Sequence, residues 1–367
     1  MVKPFAICCI AVCAASAVNA AEPVYDVVDL GTLGGVFTSA FGINNHGDAV
    51  GRSTLTNVPH APFHAFLDRD GELIDLGSLP GRARSRATAI NNGGEIIGFA
   101  SARRNESDGH AFLYSNGRMT DLHPAVSFGG VASFATAINK HGDIAGDATT
   151  RDELEDRCFV YRRGLLRQLG NFGGTFCQAG GINNHGRTVG ASTLAGDDHA
   201  HAYLDDGVTT RDLGTLGSGQ DSEAFGINAA DAVVGDSFIT PDGPTHAFQY
   251  RNGVMTDIHA ANLDRHSLAF AINRRGQVVG FSFPELVDTF PGNFAVVWNH
   301  GVPTDLNGLI PPDSGWVLYR AAAINDHGEI VGVGLHGPPG TIARAFLLIP
   351  RQEDWEDHED PGDDQDR

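Results

Sequence analysis

The apolar and polar residues of this chain follow one pattern that recurs along most of its length. In the first copy, residues 40–44 carry small residues at alternate positions, and a polar turn separates them from an apolar run that ends at Gly51. Alternation with a period of two is typical of β-strands. The Asn at position 44 can bond to backbone two residues on, and Gly47 suits the positive φ of a tight hairpin. The pattern therefore predicts two short strands joined by a tight turn.

The same segment occurs seven times. Its Ile-Asn pair ends at Asn44, Asn91, Asn139, Asn183, Asn228, Asn273 and Asn325. Each of these Asn residues has an Ala four positions before it, Gly or Ala two positions before it, and a Gly seven positions after it. Self-similarity at a fixed period is the sequence signature of repeat architectures.

Two further strand-like runs complete each copy. The third run begins at His64 and recurs at His110, Arg157, His201, His246, Phe294 and Arg344; the fourth ends at Asp75 and recurs at Asp121, Gln168, Asp212, Asp257 and Asp305. Tight-turn residues separate the third run from the fourth, as at Asp70-Gly71. Each repeat therefore predicts four short strands.

The ends of the chain indicate how the repeats are closed. The seventh copy has no fourth run after its third, and an orphan fourth run stands alone at residues 27–31. A circular array would pair that orphan with the last three strands, as in β-propellers. We therefore predict an all-β, seven-bladed β-propeller of four-stranded blades, with the N-terminal strand closing the last blade. An open β-solenoid is the alternative, although it would need capping repeats, and none is visible.

Small residues indicate the position of the first strand. Only small side chains fit where blades crowd together, so the first strand is expected nearest the axis and the fourth outermost. Tight turns then lie on one rim, and the variable connections lie on the opposite rim.

The first 20 residues are typical of a signal peptide. Lys3 supplies a positive charge, residues 5–17 are apolar, and Ala20 ends a small-residue cleavage site. The apolar run is too short for a membrane span. A lipoprotein signal ending at Cys13 is an alternative that the bulky Val12 fits poorly. We expect a secreted or periplasmic protein, with a propeller over residues 21–350 and a disordered acidic tail over residues 351–367.

Charge limits the classes of partner, and the cysteine content raises the question of a disulfide. The net charge of −20 argues against a nucleic-acid partner, since phosphate binding needs a basic surface. After cleavage the chain keeps Cys158 and Cys177, which in an exported protein either form a disulfide or remain small buried side chains. The sequence leaves both alternatives open.

Three motifs carry a family resemblance. Residues 29–35 are Asp-Leu-Gly-Thr-Leu-Gly-Gly, residues 42–51 are Gly-Ile-Asn-Asn-His-Gly-Asp-Ala-Val-Gly, and residues 64–67 are His-Ala-Phe-Leu. With these motifs repeated over residues 24–349, the chain resembles the bacterial HAF-type extracellular repeat family. The resemblance implies export and a repeat architecture, and it brings no catalytic residues. Arg157 and Phe294 replace the motif His in two copies, which argues against a functional role for that His.

The repeated polar residues are expected to be structural. Histidines on separate blades would lie too far apart to share one metal ion, so we expect the His or Arg of the third strand to form hydrogen bonds between blades. The residues six positions before each Asn are expected to be structural as well: Thr38, Ser85, Ser133, Cys177, Ser222, Ser267 and Tyr319. No cofactor is expected. Calcium binding remains an alternative that no motif supports. The acidic clusters at residues 152–156 and 197–198 lack the spacing of a calcium loop.

Residues five and seven positions before the Asn diverge in charge between copies. The candidates for a ligand site at the channel mouth are Arg84, Arg86, Gln178, Asp221, Glu223, His266 and Arg320. Function usually resides on segments that a rigid scaffold positions. We expect a monomeric binding or interaction module for an unknown extracellular ligand, either protein or glycan, without catalytic residues. The alternative is a propeller enzyme acting on carbohydrate or another extracellular polymer.

Overall fold

The computed structural model is a ring of seven four-stranded antiparallel sheets, a seven-bladed β-propeller. It describes residues 24–351 except 59, 153, 285–291 and 338–341. The predicted fold class is therefore confirmed. The predicted signal peptide and nearly all of the acidic tail lie outside the described residues. No helix in the described part of the chain is long and apolar enough to cross a membrane.

The first three blades take their strands in chain order from the axis outward. Blade one comprises β2 (Thr38–Ile43), β3 (Ala49–Thr54), β4 (Phe63–Arg69) and β5 (Glu72–Asp75). Blade two comprises β6 (Arg84–Ile90), β7 (Ile96–Ser101), β8 (His110–Ser115) and β9 (Arg118–Asp121). After a short helix, α1 (His123–Val126), blade three comprises β10 (Gly129–Ile138), β11 (Ile144–Thr150), β12 (Asp156–Arg162) and β13 (Leu165–Gln168).

The next three blades repeat this order. Blade four comprises β14 (Gly173–Ile182), β15 (Thr188–Leu194), β16 (Ala200–Asp205) and β17 (Thr210–Asp212). Blade five comprises β18 (Ser222–Ile227), β19 (Val233–Phe238), β20 (Thr245–Arg251) and β21 (Val254–Asp257). Blade six comprises β22 (His266–Ile272), β23 (Val278–Phe283), β24 (Phe294–Asn299) and β25 (Val302–Asp305), followed by a 3-10 turn at Leu306–Leu309.

Blade seven is built from both ends of the described chain. It comprises β26 (Trp316–Ile324), β27 (Ile330–His336) and β28 (Ile342–Pro350), and its outer strand is β1 (Tyr25–Asp29). The antiparallel pairing runs from Tyr25 opposite Pro350 to Asp29 opposite Phe346. Tyr25 is only 1% exposed and belongs to the core between blades six and seven. The N-terminal strand therefore closes the ring, as predicted.

Seven hydrophobic clusters fill the spaces between neighbouring blades. In the first, Val50 and Leu67 of blade one share a cluster with Ile96 and Phe112 of blade two. The invariant Gly of the second strand makes room for this packing. A Cβ at Gly51 would lie 2.0 Å from the carbonyl oxygen of Ser39 and 2.8 Å from the Phe66 ring. Any larger residue would separate the strands.

The seven repeated Asn residues form a closed ring of hydrogen bonds around the axis. The side-chain Nδ2 of each donates to the backbone carbonyl oxygen of the equivalent Asn in the next blade, over 2.9–3.3 Å, and Asn325 of blade seven donates to Asn44 of blade one. The ring ties every blade to its neighbour at the rim of tight turns. The sequence did not indicate this inter-blade role.

Each Asn also holds its own turn. Oδ1 of Asn44 accepts from the backbone N–H of His46 over 2.9 Å and from that of Asp48 over 3.0 Å. The predicted bond to backbone two residues on is therefore confirmed. The side chain is saturated, since its amide serves the neighbouring blade and its oxygen serves the turn.

A second inter-blade bond lies near the opposite rim. The Oγ of Ser85 in blade two accepts from the backbone N–H of Ala65 in blade one over 2.8 Å, and the equivalent bonds recur at Ser133, Ser222 and Ser267. The expectation that this polar position is structural is thus confirmed. Between blades three and four, Cys177 takes the Ser position and Cys158 the Ala position. They form a disulfide with a Cα–Cα distance of 5.5 Å, which settles the alternative left open by the sequence.

The third-strand histidines correct one expectation. They pair within their own blade rather than between blades: Nδ1 of His64, His110, His201 and His246 lies 2.8–3.0 Å from the carboxylate of Asp75, Asp121, Asp212 and Asp257, respectively. The third strand and the fourth are adjacent in the ladder, so a carboxylate at the end of the fourth strand is the nearest polar partner.

Deletion of residues 21–32 should destabilise the protein strongly, because β28 would become an exposed edge and the Tyr25 ring would be lost from the core. The loss of one aromatic core side chain alone costs about 3–5 kcal/mol. The measurement is thermal unfolding, with deletion of residues 352–367 as the control that leaves the melting temperature unchanged. Unchanged melting and solubility of the first deletion would contradict closure by β1.

Asn139→Ala should lower the free energy of unfolding by more than about 2 kcal/mol. It removes the bond to the Asn183 carbonyl and leaves buried backbone groups without partners, each costing about 1–3 kcal/mol. Denaturant unfolding measures the effect. Asn105→Ala, at an exposed loop position, is the control, and an equal loss in both variants would contradict the importance of the ring.

Candidate ligand site in the channel

The two ends of the central channel differ in chemistry. At the end formed by the tight turns, a cavity of about 210 Å³ is lined by six of the Ile-Asn pairs and by Ile138 of the seventh. The amide side chains there are already used by the Asn ring. Lys140, Arg274 and Asp326 also line this cavity. Buried charged side chains lie further along the channel, toward the rim of variable connections.

A cross-strand pair from each blade lines that part of the channel. One member stands five residues before the repeated Asn and the other eight residues after it, and we call the two a lining pair. The seven lining pairs are Ser39–Arg52, Arg86–Phe99, Phe134–Asp147, Gln178–Ala191, Glu223–Asp236, Leu268–Phe281 and Arg320–Val333. Directly opposite residues of an antiparallel ladder share one face. The sequence predicted four of the first members as site residues, Arg86, Gln178, Glu223 and Arg320, and none of the second members.

Interactions between non-adjacent blades show that these side chains face the axis. The charge of Arg320 in blade seven acts on Arg86 in blade two, across blade one. The charge of Glu223 in blade five acts on Asp147 in blade three, across blade four. Electrostatic influence across an intervening blade is expected of side chains directed at the common centre.

Arginines dominate one side of the channel, which we call the basic sector. It comprises Arg52, Arg86 and Arg320, from blades one, two and seven. The Arg86 guanidinium carbon lies 3.9 Å from the Phe41 ring centroid, and that of Arg320 lies 4.3 Å from the Phe270 centroid. Burial, followed by repulsion from Arg52, lowers the pKa of Arg86 to about 10. The group remains a cation at neutral pH.

Hydrogen bonding in the basic sector is incomplete. The Nη1 of Arg52 donates to Glu106 over 3.1 Å, whereas its buried Nε has no acceptor. The buried Nε of Arg86 also has no acceptor. Most buried polar groups in proteins are satisfied, so unsatisfied arginine donors in a channel need a specific explanation.

Carboxylates occupy another side, the acidic sector of blades three and five. Burial raises the pKa of Glu223 to about 7 and that of Asp147 to about 8, with the charges of Asp156 and Glu223 raising the latter further. Burial, and then the charge of Glu223, also raises the pKa of Asp236. Among the residues that the structure describes, no three His, Cys, Asp or Glu side chains are grouped so that they could hold a metal ion.

Phenylalanine rings supply apolar surface between the charged sectors. Phe99 and Phe134 meet edge to face at 5.0 Å on one side, and Phe270 lies 5.2 Å from Phe225 and 5.5 Å from Phe281 on the other. A ligand in the channel would therefore meet cations, acids and aromatic faces at different positions around the axis.

The predicted mouth residues are not all in the same environment. The structure brings Arg86 and Arg320 together, and it places Glu223 in the acidic sector. Gln178 is exposed, and Arg84 is half-buried at the start of β6.

Asp221 and His266 bond to protein groups. Asp221 accepts from the backbone N–H of Ala200 over 2.8 Å. His266 is 1% exposed, and its Nδ1 accepts from the backbone N–H of Thr245 over 3.0 Å. Arg84, Asp221 and His266 stand seven residues before the repeated Asn, at the start of the first strand, where the chain bends into the preceding connection. Their environments therefore differ from those of the residues five before the Asn.

The acidic loops have local partners. Asp152 accepts from the Thr150 hydroxyl over 2.5 Å, and Asp197 accepts from the Thr175 backbone N–H over 2.6 Å. The bond from the Thr150 hydroxyl lowers the pKa of the Asp152 carboxyl. A bond from the Thr193 hydroxyl, followed by that from the Thr175 N–H, lowers the pKa of the Asp197 carboxyl. Their acidity is therefore explained by loop structure, and Glu153 lies outside the described residues.

Known proteins resemble this chain only at low sequence identity and low structural overlap. No protein-family model matches the sequence, and no curated protein is similar to it. TolB from Acinetobacter baumannii is 11% identical, over 83% of this chain and 79% of its own, with a TM-score of 0.42. A protein of unknown function from Dyadobacter fermentans is 13% identical, over 90% and 99%, with a TM-score of 0.41. The chain spans 42% of the Pyrococcus horikoshii acylaminoacyl peptidase, at 14% identity and over 66% of this chain, with a TM-score of 0.42. Membership of the HAF-type family stays a prediction.

The raised pKa of Glu223 predicts that the free energy of unfolding depends on pH. The folded protein holds this proton up to about pH 7, whereas the unfolded chain loses it near the ordinary value of 4.5. Stability is therefore lost as the pH rises through that window. We expect the melting temperature of Glu223→Gln, relative to the unmodified protein, to rise between about pH 4.5 and 7 and then level off.

Melting curves over this pH range test the expectation. Glu72→Gln is the control, because its side chain is exposed at the outer strand of blade one. A Glu223→Gln difference that does not vary with pH would contradict the burial of this carboxyl.

Proposed function

We propose that the protein is an exported binding module whose ligand occupies the channel at the lining pairs. The single observation that carries this proposal is the Arg86 guanidinium. It is a half-buried cation that forms no hydrogen bond or ion pair with any residue that the structure describes, and its Nε is fully buried. Burying a charge without a partner is costly. A side chain retained under that cost is best explained by a ligand that supplies the partner.

Several features support export and an extracellular ligand. The disulfide between Cys158 and Cys177 fits an oxidising compartment. The N-terminal sequence and the resemblance to HAF-type repeats agree with a secreted or periplasmic protein that acts as a monomer. The net charge of −20 disfavours nucleic acid and favours a protein or glycan partner.

An enzyme acting on carbohydrate or another extracellular polymer is the second candidate. Glu223 favours it, because a carboxyl with a pKa of about 7 can both donate and accept a proton at neutral pH. Perturbed carboxyls cluster at catalytic sites, although unpaired buried acids can also bind cations. Asp236 lies directly opposite Glu223 in the ladder and supplies a second carboxyl for such chemistry. Binding without turnover remains our first choice, because the proposal rests on the Arg86 guanidinium.

A screen of glycans, peptides and small molecules against the mature protein tests the binding function. Any ligand found should lose more than about 1 kcal/mol of affinity in Arg86→Ala or Glu223→Ala, because hydrogen bonds to charged groups contribute about 1.5–3 kcal/mol. Isothermal titration measures the affinity. Arg118→Ala, at an exposed position on the outer strand of the same blade as Arg86, is the control.

Two outcomes would count against the proposal. Ligands whose affinity survives both channel substitutions would place the site elsewhere. Turnover of a bound polymer that Glu223→Gln abolishes, with binding retained, would favour the enzyme instead.

A further inference from the structure

The basic sector points to one chemical class of ligand. Resting on the proposed binding function, we infer that the channel holds an oxyanion group of its ligand, a carboxylate, phosphate or sulfate, between Arg86 and Arg52, with Arg320 contributing charge. Each step of this assignment depends on contacts of these arginines.

The sector has an excess of positive charge. The charges of Arg52 and Arg320 both act on Arg86, and Glu106 is the carboxylate that acts on Arg52 and Arg86. Repulsion within the group opposes its assembly, since like charges in a poorly hydrated space interact strongly. An anion placed between the arginines would relieve this repulsion, whereas a neutral or cationic group would not.

The orientation of the guanidiniums leaves their edges for acceptors. The face of Arg86 is covered by Phe41 at 3.9 Å, and that of Arg52 by Phe63 at 4.6 Å. Stacking of this kind uses the π face and keeps the N–H groups, which lie in the plane, directed sideways. The planar fork of an arginine matches two oxygens of a carboxylate, phosphate or sulfate. The Nη groups of Arg86 form no hydrogen bond within the described residues and are not buried, so they are the donors that an oxyanion would meet, whereas the Nε atoms of Arg52 and Arg86 are buried.

Glu106 behaves as an internal competitor for the same donors. It reaches Arg52 from the connection between β7 and β8, and its backbone has a φ of 60°, a left-handed conformation that is uncommon outside glycine. A carboxylate held there engages one nitrogen of Arg52 only. A ligand oxyanion would meet the remaining donors and the charge of Arg86.

Inorganic oxyanions test the inference without knowledge of the natural ligand. The probes are phosphate, sulfate and acetate, each compared with sodium chloride at equal ionic strength, and the measurements are thermal shift and isothermal titration on the mature protein. We expect at least one oxyanion to raise the melting temperature in a saturable manner, while chloride does not. The probe that binds best distinguishes a phosphate or sulfate ligand from a carboxylate.

Substitutions test which arginine binds the oxyanion. Arg86→Gln should weaken binding of that oxyanion at least tenfold, and Arg118→Gln, which removes the same charge from an exposed position, should leave it unchanged. Glu106→Gln should strengthen binding, because the competing carboxylate is removed. Without any anion, the circular dichroism spectrum of Arg86→Gln should match that of the unmodified protein, which shows that lost binding is not lost folding.

The outcomes separate this inference from the proposed function. No shift with any oxyanion, or an equal shift in Arg86→Gln, would overturn the oxyanion assignment. If a screened ligand then still lost affinity in Glu223→Ala, the channel would remain the binding site and only the ligand class would be wrong. If no ligand depended on either channel residue, the proposed function itself would fail.

Discussion

The ring of seven Asn side chains is the interaction on which the rest of the structure depends. Each amide bonds to the backbone of the next blade, and the last bonds to the first, so the ring sets the number of blades and their spacing at the axis. A side chain with one amide group and one carbonyl can serve a neighbour and its own turn together. Neither Asp nor Ser has both functions at this reach. The repeated Asn is therefore a requirement of closure as well as of the turn.

The Asn ring holds the blades together at the rim of tight turns. The side chains at the other end of the channel can therefore differ between blades. The Ser–Ala bonds and the disulfide between Cys158 and Cys177 hold neighbouring blades together away from the axis, without using the charged members of the lining pairs. This division explains why charges with few partners persist there. Local penalties at a functional site are tolerated when the surrounding scaffold is stable enough.

Much of the fold could be predicted from the sequence because the evidence was repeated seven times. The period, the orphan strand at residues 27–31 and the Gly at position 51 each constrain one backbone feature. The sequence could not show which repeated side chains reach across blades, since that depends on the twist and spacing of the sheets. The pairing of His64 with Asp75 inside a blade and the inter-blade bond of Asn44 are both of this kind. Likewise, divergence in charge marked Arg86 and Glu223, but only the ladder register shows that Arg52 and Asp147 face the same channel.

The arginines on one side of the channel are cations, whereas burial keeps the carboxyls on the other side largely protonated near neutral pH, so the channel carries an asymmetric charge. This asymmetry becomes a stronger transverse electric dipole as the carboxyls ionise. The backbone is close to sevenfold symmetric about its axis, whereas the arginines of blades seven, one and two and the carboxyls of blades three and five lie on different sides of it. A ligand that enters along the axis would therefore experience a torque as well as an attraction. Its own charge asymmetry would select one rotational setting out of seven that the backbone alone would allow. The dipole strengthens as Glu223 ionises near neutral pH. The preference of a bound ligand for one orientation about the axis would therefore increase as the pH rises.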